Sequence, residues 1–81
     1  MHELSITRNL VAIVGEAAQG RTVRKVWLEV GRRSAVMPEA LRFCFDVVSR
    51  GTALEGAALE IVELTGDELN IKAMEVEPSC A

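Results

Sequence analysis

One residue at the start of this chain combines a chemistry and a position that few histidines share. His2 is the only histidine among 81 residues, and it follows Met1 directly. The free amine of Met1, the backbone nitrogens after it and the His2 imidazole can converge on one metal ion through five- and six-membered chelate rings. Ni²⁺ and Cu²⁺ accept square-planar or tetragonal nitrogen ligation, and they displace amide protons from such ligands. Ca²⁺ and Mg²⁺ prefer oxygen and compete poorly. Binding of this kind releases protons, so it strengthens as pH rises. Glu3 either ligates, through a backbone or carboxylate atom, or steadies the ligands from behind. Taken alone the pattern is weak, because a terminal histidine is ordinarily just a frayed end in water.

The remaining residues give no support for catalysis, and the chain reads as a non-enzyme. Ser5, Ser34 and Ser49 have no nearby histidine to activate them, no carboxylate pair is set apart by its context, and no Gly-rich phosphate loop is present. Cys44 lies in an apolar stretch and reads as a small core hydrophobe, and Cys80 reads as a tail thiol. Two cysteines so far apart make no disulfide framework. The net charge of −3, from 12 acidic and 9 basic side chains, argues against nucleic acid as a partner. No apolar run approaches the ~18 residues of a membrane span, and no basic segment precedes an apolar one as in a signal peptide. The expectation is a cytoplasmic protein of one small domain.

The elements that must position His2 follow from periodicity. Ile6, Leu10, Ile13, Val14 and Ala17 predict one face of a helix over residues 4–18, with Gln19-Gly20 as its stop. Val26, Leu28 and Val30 alternate with Lys25, Trp27 and Glu29, which predicts a strand within 22–32 with Trp27 on the outer face. Pro38 suits the first turn of a second helix, whose stripe is Leu41, Cys44, Phe45 and Val48, widened by Phe43 and Val47. Residues 57–64 and 68–77 read as strands, with a change of apolar phase near Met74 that means either a bulge or a strand covered on both sides. Thr65-Gly66-Asp67 between them reads as a turn, so the two strands are expected to form an antiparallel hairpin. The fold class is α+β: two helices packed on one face of a small three-stranded sheet, in the order α-β-α-β-β.

A resemblance adds to this reading. Met1-His2-Glu3-Leu4-Ser5-Ile6 is similar to the opening of the HypA/HybF family of hydrogenase-maturation nickel metallochaperones. Val26-Trp27-Leu28-Glu29-Val30-Gly31 resembles the family's first strand. Leu41-Arg42-Phe43-Cys44-Phe45-Asp46, followed by Arg50-Gly51-Thr52, resembles its second helix and the loop after it. Glu55 to Ile61 and Gly66 to Val76 resemble its last two strands. The resemblance covers nearly the whole chain in family order. It implies a domain over residues 1–77 that binds Ni²⁺ through Met1, His2 and Glu3, with residues 78–81 as a tail. It also implies delivery of nickel to nickel–iron hydrogenase, and in some bacteria to urease, with a maturation GTPase and the hydrogenase large-subunit precursor as partners.

The departure from the family is the zinc module, which carries two Cys-x-x-Cys pairs able to present four thiolates to Zn²⁺. This chain has neither pair, so the module is expected to be excised or lost near residues 63–67, and no zinc is expected. A strained connection there would favour a swapped homodimer over a monomer. The alternative function is a zinc-free interaction module that docks on maturation partners without carrying metal.

Overall fold

The computed structural model describes residues 3–78. Helix α1 spans Glu3–Ala18, strand β1 Val23–Gly31, helix α2 Pro38–Val48, strand β2 Ala58–Leu64 and strand β3 Leu69–Val76, with a short 3-10 turn at Arg32–Ser34. Glu3 and Glu39 sit in the first turns of the two helices, where a negative charge meets the positive end of the helix dipole. Helix α1 ends as Gln19 and then Gly20 swing to positive φ (52° and 84°), a conformation that glycine enters without steric penalty.

The buried stripe of α1 is Thr7, Leu10, Val11, Val14 and Ala18, rotated from the apolar face expected. Ile13 is 59% exposed. The reason lies in Thr7, whose hydroxyl is shared between the Glu3 and Leu4 carbonyls at 3.0 Å each. With its polar atom satisfied inside its own helix, threonine can be buried like valine. In α2, Leu41 and Phe45 are buried and Cys44 is half-buried. Phe43 and Val47, expected to widen that stripe, point to solvent instead.

The sheet order is β2-β1-β3. Strand β1 is central, parallel to β2 and antiparallel to β3, so the expected β2–β3 hairpin does not form. Helix α2 lies between β1 and β2 in sequence, and a helical crossover is what a parallel pair requires. The bulge is present. Trp27 pairs with Ala73 and Leu28 with Ile71, leaving Lys72 as an extra residue. That shift brings Met74 and Val76 onto the same face as Leu69 and Ile71. Each then stands opposite an inward residue of β1: Val26 meets Met74 and Val30 meets Leu69. The core of Leu10, Val14, Val26, Leu28, Leu41, Phe45 and Leu54 lies between this face and the helices. On the outer face the Lys25 ammonium sits 5.2 Å from the centre of the Trp27 ring, a cation–π contact.

To reach the far side of β1, residues 65–68 cross its C-terminal end. The span is two strand spacings, about 10 Å, within reach of four residues at ~3.3 Å each. The Gly31 N–H donates to the Glu68 carbonyl at 2.7 Å, and the Arg33 N–H donates to the Gly66 carbonyl at 2.8 Å. Gly31 is extended, with φ −78° and ψ 144°, so glycine is needed there for space and not for its backbone angles. A Cβ at residue 31 would lie 2.1 Å from the Gly66 carbonyl oxygen.

Gly31→Ala is therefore expected to destabilise the fold by about 3 kcal/mol or to abolish it, since the obstructing atoms are backbone. In Gly15→Ala the new methyl would meet only Leu54 Cδ1 at 3.8 Å. That variant should be neutral or more stable by up to ~1 kcal/mol. Urea unfolding of the two proteins checks both expectations, and equal stability would refute the crossing as the reason for Gly31.

Candidate metal-binding site

Of the three residues expected to hold metal, Glu3 opens α1, while Met1 and His2 lie outside the described residues. The Glu3 carboxylate accepts the Met37 backbone N–H at 3.1 Å. This ties the first turn of α1 to the residue just before α2, where an N–H has no partner within its own helix. The Glu3 carbonyl is also engaged, by the Thr7 hydroxyl. The first turn is thus held from both its side chain and its backbone.

The segment that receives Glu3 is itself constrained. Ser34 Oγ donates to the Gly31 carbonyl at 2.7 Å and accepts the Val36 N–H at 3.3 Å. Ala35 takes a left-handed conformation, φ 63°, which a residue with a Cβ adopts at a penalty of about 1 kcal/mol. The chain from Gly31 to Met37 therefore links the crossing loop to the start of α1. The N-terminal ends of both helices and the C-terminal end of β1 meet at this end of the molecule.

Beside it lies a cleft lined by Ala35, Val36, Met37, Pro38, Glu39 and Glu63. Arg32 Nε approaches Glu63 Oε1 at 3.8 Å, both side chains being well exposed, a geometry that adds little stability. Glu3, Glu39 and Glu63 stand at this end together with Arg32 and Arg33, so it carries charges of both signs. Among the described residues, no three His, Cys, Asp or Glu side chains gather to hold a metal ion. Cys44 is a free, half-buried thiol on α2, and Cys80 lies outside the described residues. No helix here is long and apolar enough to cross a membrane. The Glu3–Met37 bond was not foreseeable from sequence, since it joins positions 34 apart and its donor is a backbone N–H.

The model of the family described as hydrogenase/urease nickel incorporation, metallochaperone, HypA matches residues 1–68. The hydrogenase maturation factor HypA of Trichormus variabilis is 45% identical over 112 aligned positions, covering 99% of each chain. Because this chain has 81 residues, at least 31 of those positions have no residue here. The HypA of Trichodesmium erythraeum is 58% identical over 66 residues, 82% of this chain and 58% of that one. The solution structure of the Ni metallochaperone HypA from Helicobacter pylori shares the fold, with a TM-score of 0.69 at 19% identity over 96% of this chain and 95% of that one. The chain belongs to the HypA family of hydrogenase and urease nickel-incorporation metallochaperones.

Proposed function

We propose that this chain binds one Ni²⁺ at its N-terminus, through the Met1 amine, the His2 imidazole and intervening backbone nitrogen, and carries it to nickel–iron hydrogenase during maturation. The observation that carries the reading is the clamped first turn of α1. The Glu3 carboxylate accepts from the Met37 N–H, so the residue next to His2 has a fixed place in the fold. A chelate built on consecutive atoms gains from such an anchor, because less chain entropy is lost when the metal binds. Glu3 then serves the site as a positioning residue, with its carboxylate turned toward Met37.

The cargo role accords with the family's description and with the relative from Helicobacter pylori, whose structure is titled as that of a Ni metallochaperone. Nickel held by nitrogen donors at an open chain end can be handed on by stepwise ligand exchange, as a carrier requires. Residues 1–77 are the nickel-binding domain and 78–81 a tail. The segment missing against the longer relatives is assigned to the crossing loop, near residues 63–67, and with it the zinc module. Support comes from the family match ending at residue 68 and from the absence of any Cys-x-x-Cys pair in the sequence. A maturation GTPase and the hydrogenase large-subunit precursor, in the cytoplasm, are the partners that this role implies, and urease is a second destination.

Titrating Ni²⁺ into the untagged chain, by calorimetry and visible absorption together, should give one ion per chain with a band characteristic of square-planar nickel. His2→Ala should lose the band and at least tenfold in affinity, about 1.4 kcal/mol. Identical isotherms for the two proteins would favour a docking module that carries no metal. The anchoring role of Glu3 has its own readout. Glu3→Ala should speed hydrogen exchange at the Met37 amide and lower stability by about 1 kcal/mol, while Glu3→Gln, which keeps an acceptor oxygen, should do much less. Unchanged exchange in Glu3→Ala would remove the anchor.

A further inference from the structure

Both helices pack on one face of the sheet, and among the described residues nothing covers the other. At the centre of that outer face stands Trp27, the chain's single tryptophan, half-buried on the middle strand. The register sets Ala73 of β3 on one side of it and Glu60 of β2 on the other. Glu29 is the next residue of β1 on the same face, and its cross-strand neighbours are Val62 and Asn70. A small residue beside a large ring leaves part of the indole open to an incoming group.

The charges around the ring say what that group is. Directly opposed side chains on neighbouring strands lie about 5 Å apart at Cβ, and alternate residues of one strand about 7 Å apart. Glu60 and Glu29 therefore flank Trp27 on two adjoining sides. Neither is in an ion pair: the two pairs among the described residues are Arg32–Glu63 and Arg50–Asp46. Lys25, next to Trp27 on this face, stands opposite Glu75 and holds its ammonium 5.2 Å from the centre of the ring. The indole thus already carries a cation, while Glu29 and Glu60 have no basic residue opposite them. A guanidinium matches all three groups. It is planar and weakly hydrated, stacks on indole, and its fork of N–H donors can meet two carboxylates, where an ammonium is a point charge. An acidic partner or a phosphate backbone would be repelled here, and a purely apolar partner would bury two unpaired carboxylates.

We propose that the outer face of the sheet around Trp27 is a docking surface for a partner protein that presents an arginine, whose guanidinium stacks on the indole and pairs with Glu29 and Glu60. Lys25 cedes the ring to the incoming side chain and turns toward Glu75. Three strands at ~4.8 Å spacing offer less than the ~800 Å² per partner of a standard stable interface. The contact is therefore weak, transient and sensitive to salt. It is independent of the nickel reading, because α1 lies on the opposite face of the sheet.

Trp27 is its own reporter, since no other residue contributes indole fluorescence. The full untagged chain would be titrated at low salt with a short capped peptide of alternating Arg and Ala, and with its Lys and Glu counterparts. The Arg peptide should give a saturable change in Trp27 emission. The Lys peptide should bind at least threefold more weakly, and the Glu peptide should give no response. Replacing both acids, Glu29→Gln with Glu60→Gln, should weaken the Arg peptide at least fivefold. The control Glu16→Gln with Glu39→Gln removes the same charge from the helices and should leave binding unchanged, with circular dichroism confirming the fold of both proteins. No saturable change up to about 5 mM overturns the proposal. So does equal weakening in the two double variants, which would mean that the peptide senses net charge alone. Equal affinity for the Arg and Lys peptides, or binding of the Glu peptide, overturns it as well.

Discussion

Two hydrogen bonds, from the Gly31 N–H to the Glu68 carbonyl and from the Arg33 N–H to the Gly66 carbonyl, carry the chain across the end of β1. The rest of the sheet depends on them. Among the described residues β1 is the only strand with neighbours on both sides, and its inward residues Val26 and Leu28 form the middle of the core. If residues 65–68 did not cross, β3 would have no place on the far side of β1, and Val26 and Leu28 would lose the cover of Met74 and Ile71. The crossing is tight. Gly31 has no room for a side chain, and Glu68 Oε1 is buried there with no hydrogen-bond partner among the described residues. That unmatched oxygen opposes folding, and the apolar cover of β1 outweighs it. Here four residues suffice because the ends to be joined are only two strand spacings apart.

The same crossing bears on the start of α1. Arg33 hangs from the loop, Ser34 fixes the turn after it, and three residues further on Met37 binds Glu3. The first turn of α1 is thus connected, through one short constrained segment, to the loop that crosses the end of β1. Changes in that loop would reach the start of α1 through hydrogen bonds and backbone, with no need for a long relay.

Much of this was legible in the sequence, for identifiable reasons. Both helices and all three strands announce themselves because their apolar residues repeat with the right period, and Gly20 and Pro38 mark boundaries for steric reasons. The bulge at Lys72 shows as a break in alternation. The strand order differs from the local signal because Thr65-Gly66-Asp67 satisfies the chemistry of a tight turn, while the information that β1 and β2 are parallel lies in α2 between them. Ile13, Phe43 and Val47 were placed inward by a count of apolar residues alone. What rotated α1 was a threonine whose hydroxyl is satisfied within its own helix. At the site, His2 stands out by position and the family by its succession of segments. The Glu3–Met37 bond joins distant positions and carries no periodic signal.

If nickel is bound next to the clamped first turn of α1, its arrival must be felt by Glu3 and by Met37, which holds it. Amide NMR of the isotopically labelled, untagged protein under addition of Ni²⁺ tests it most directly. One equivalent should shift the signals of Glu3 to Ile6 and of Met37, in slow exchange and with sharp lines as expected for square-planar diamagnetic nickel. Signals of the sheet should stay in place. Gradual, unsaturated shifts or broadening around exposed carboxylates such as Glu39 and Glu63, with the first turn of α1 unmoved, would contradict it.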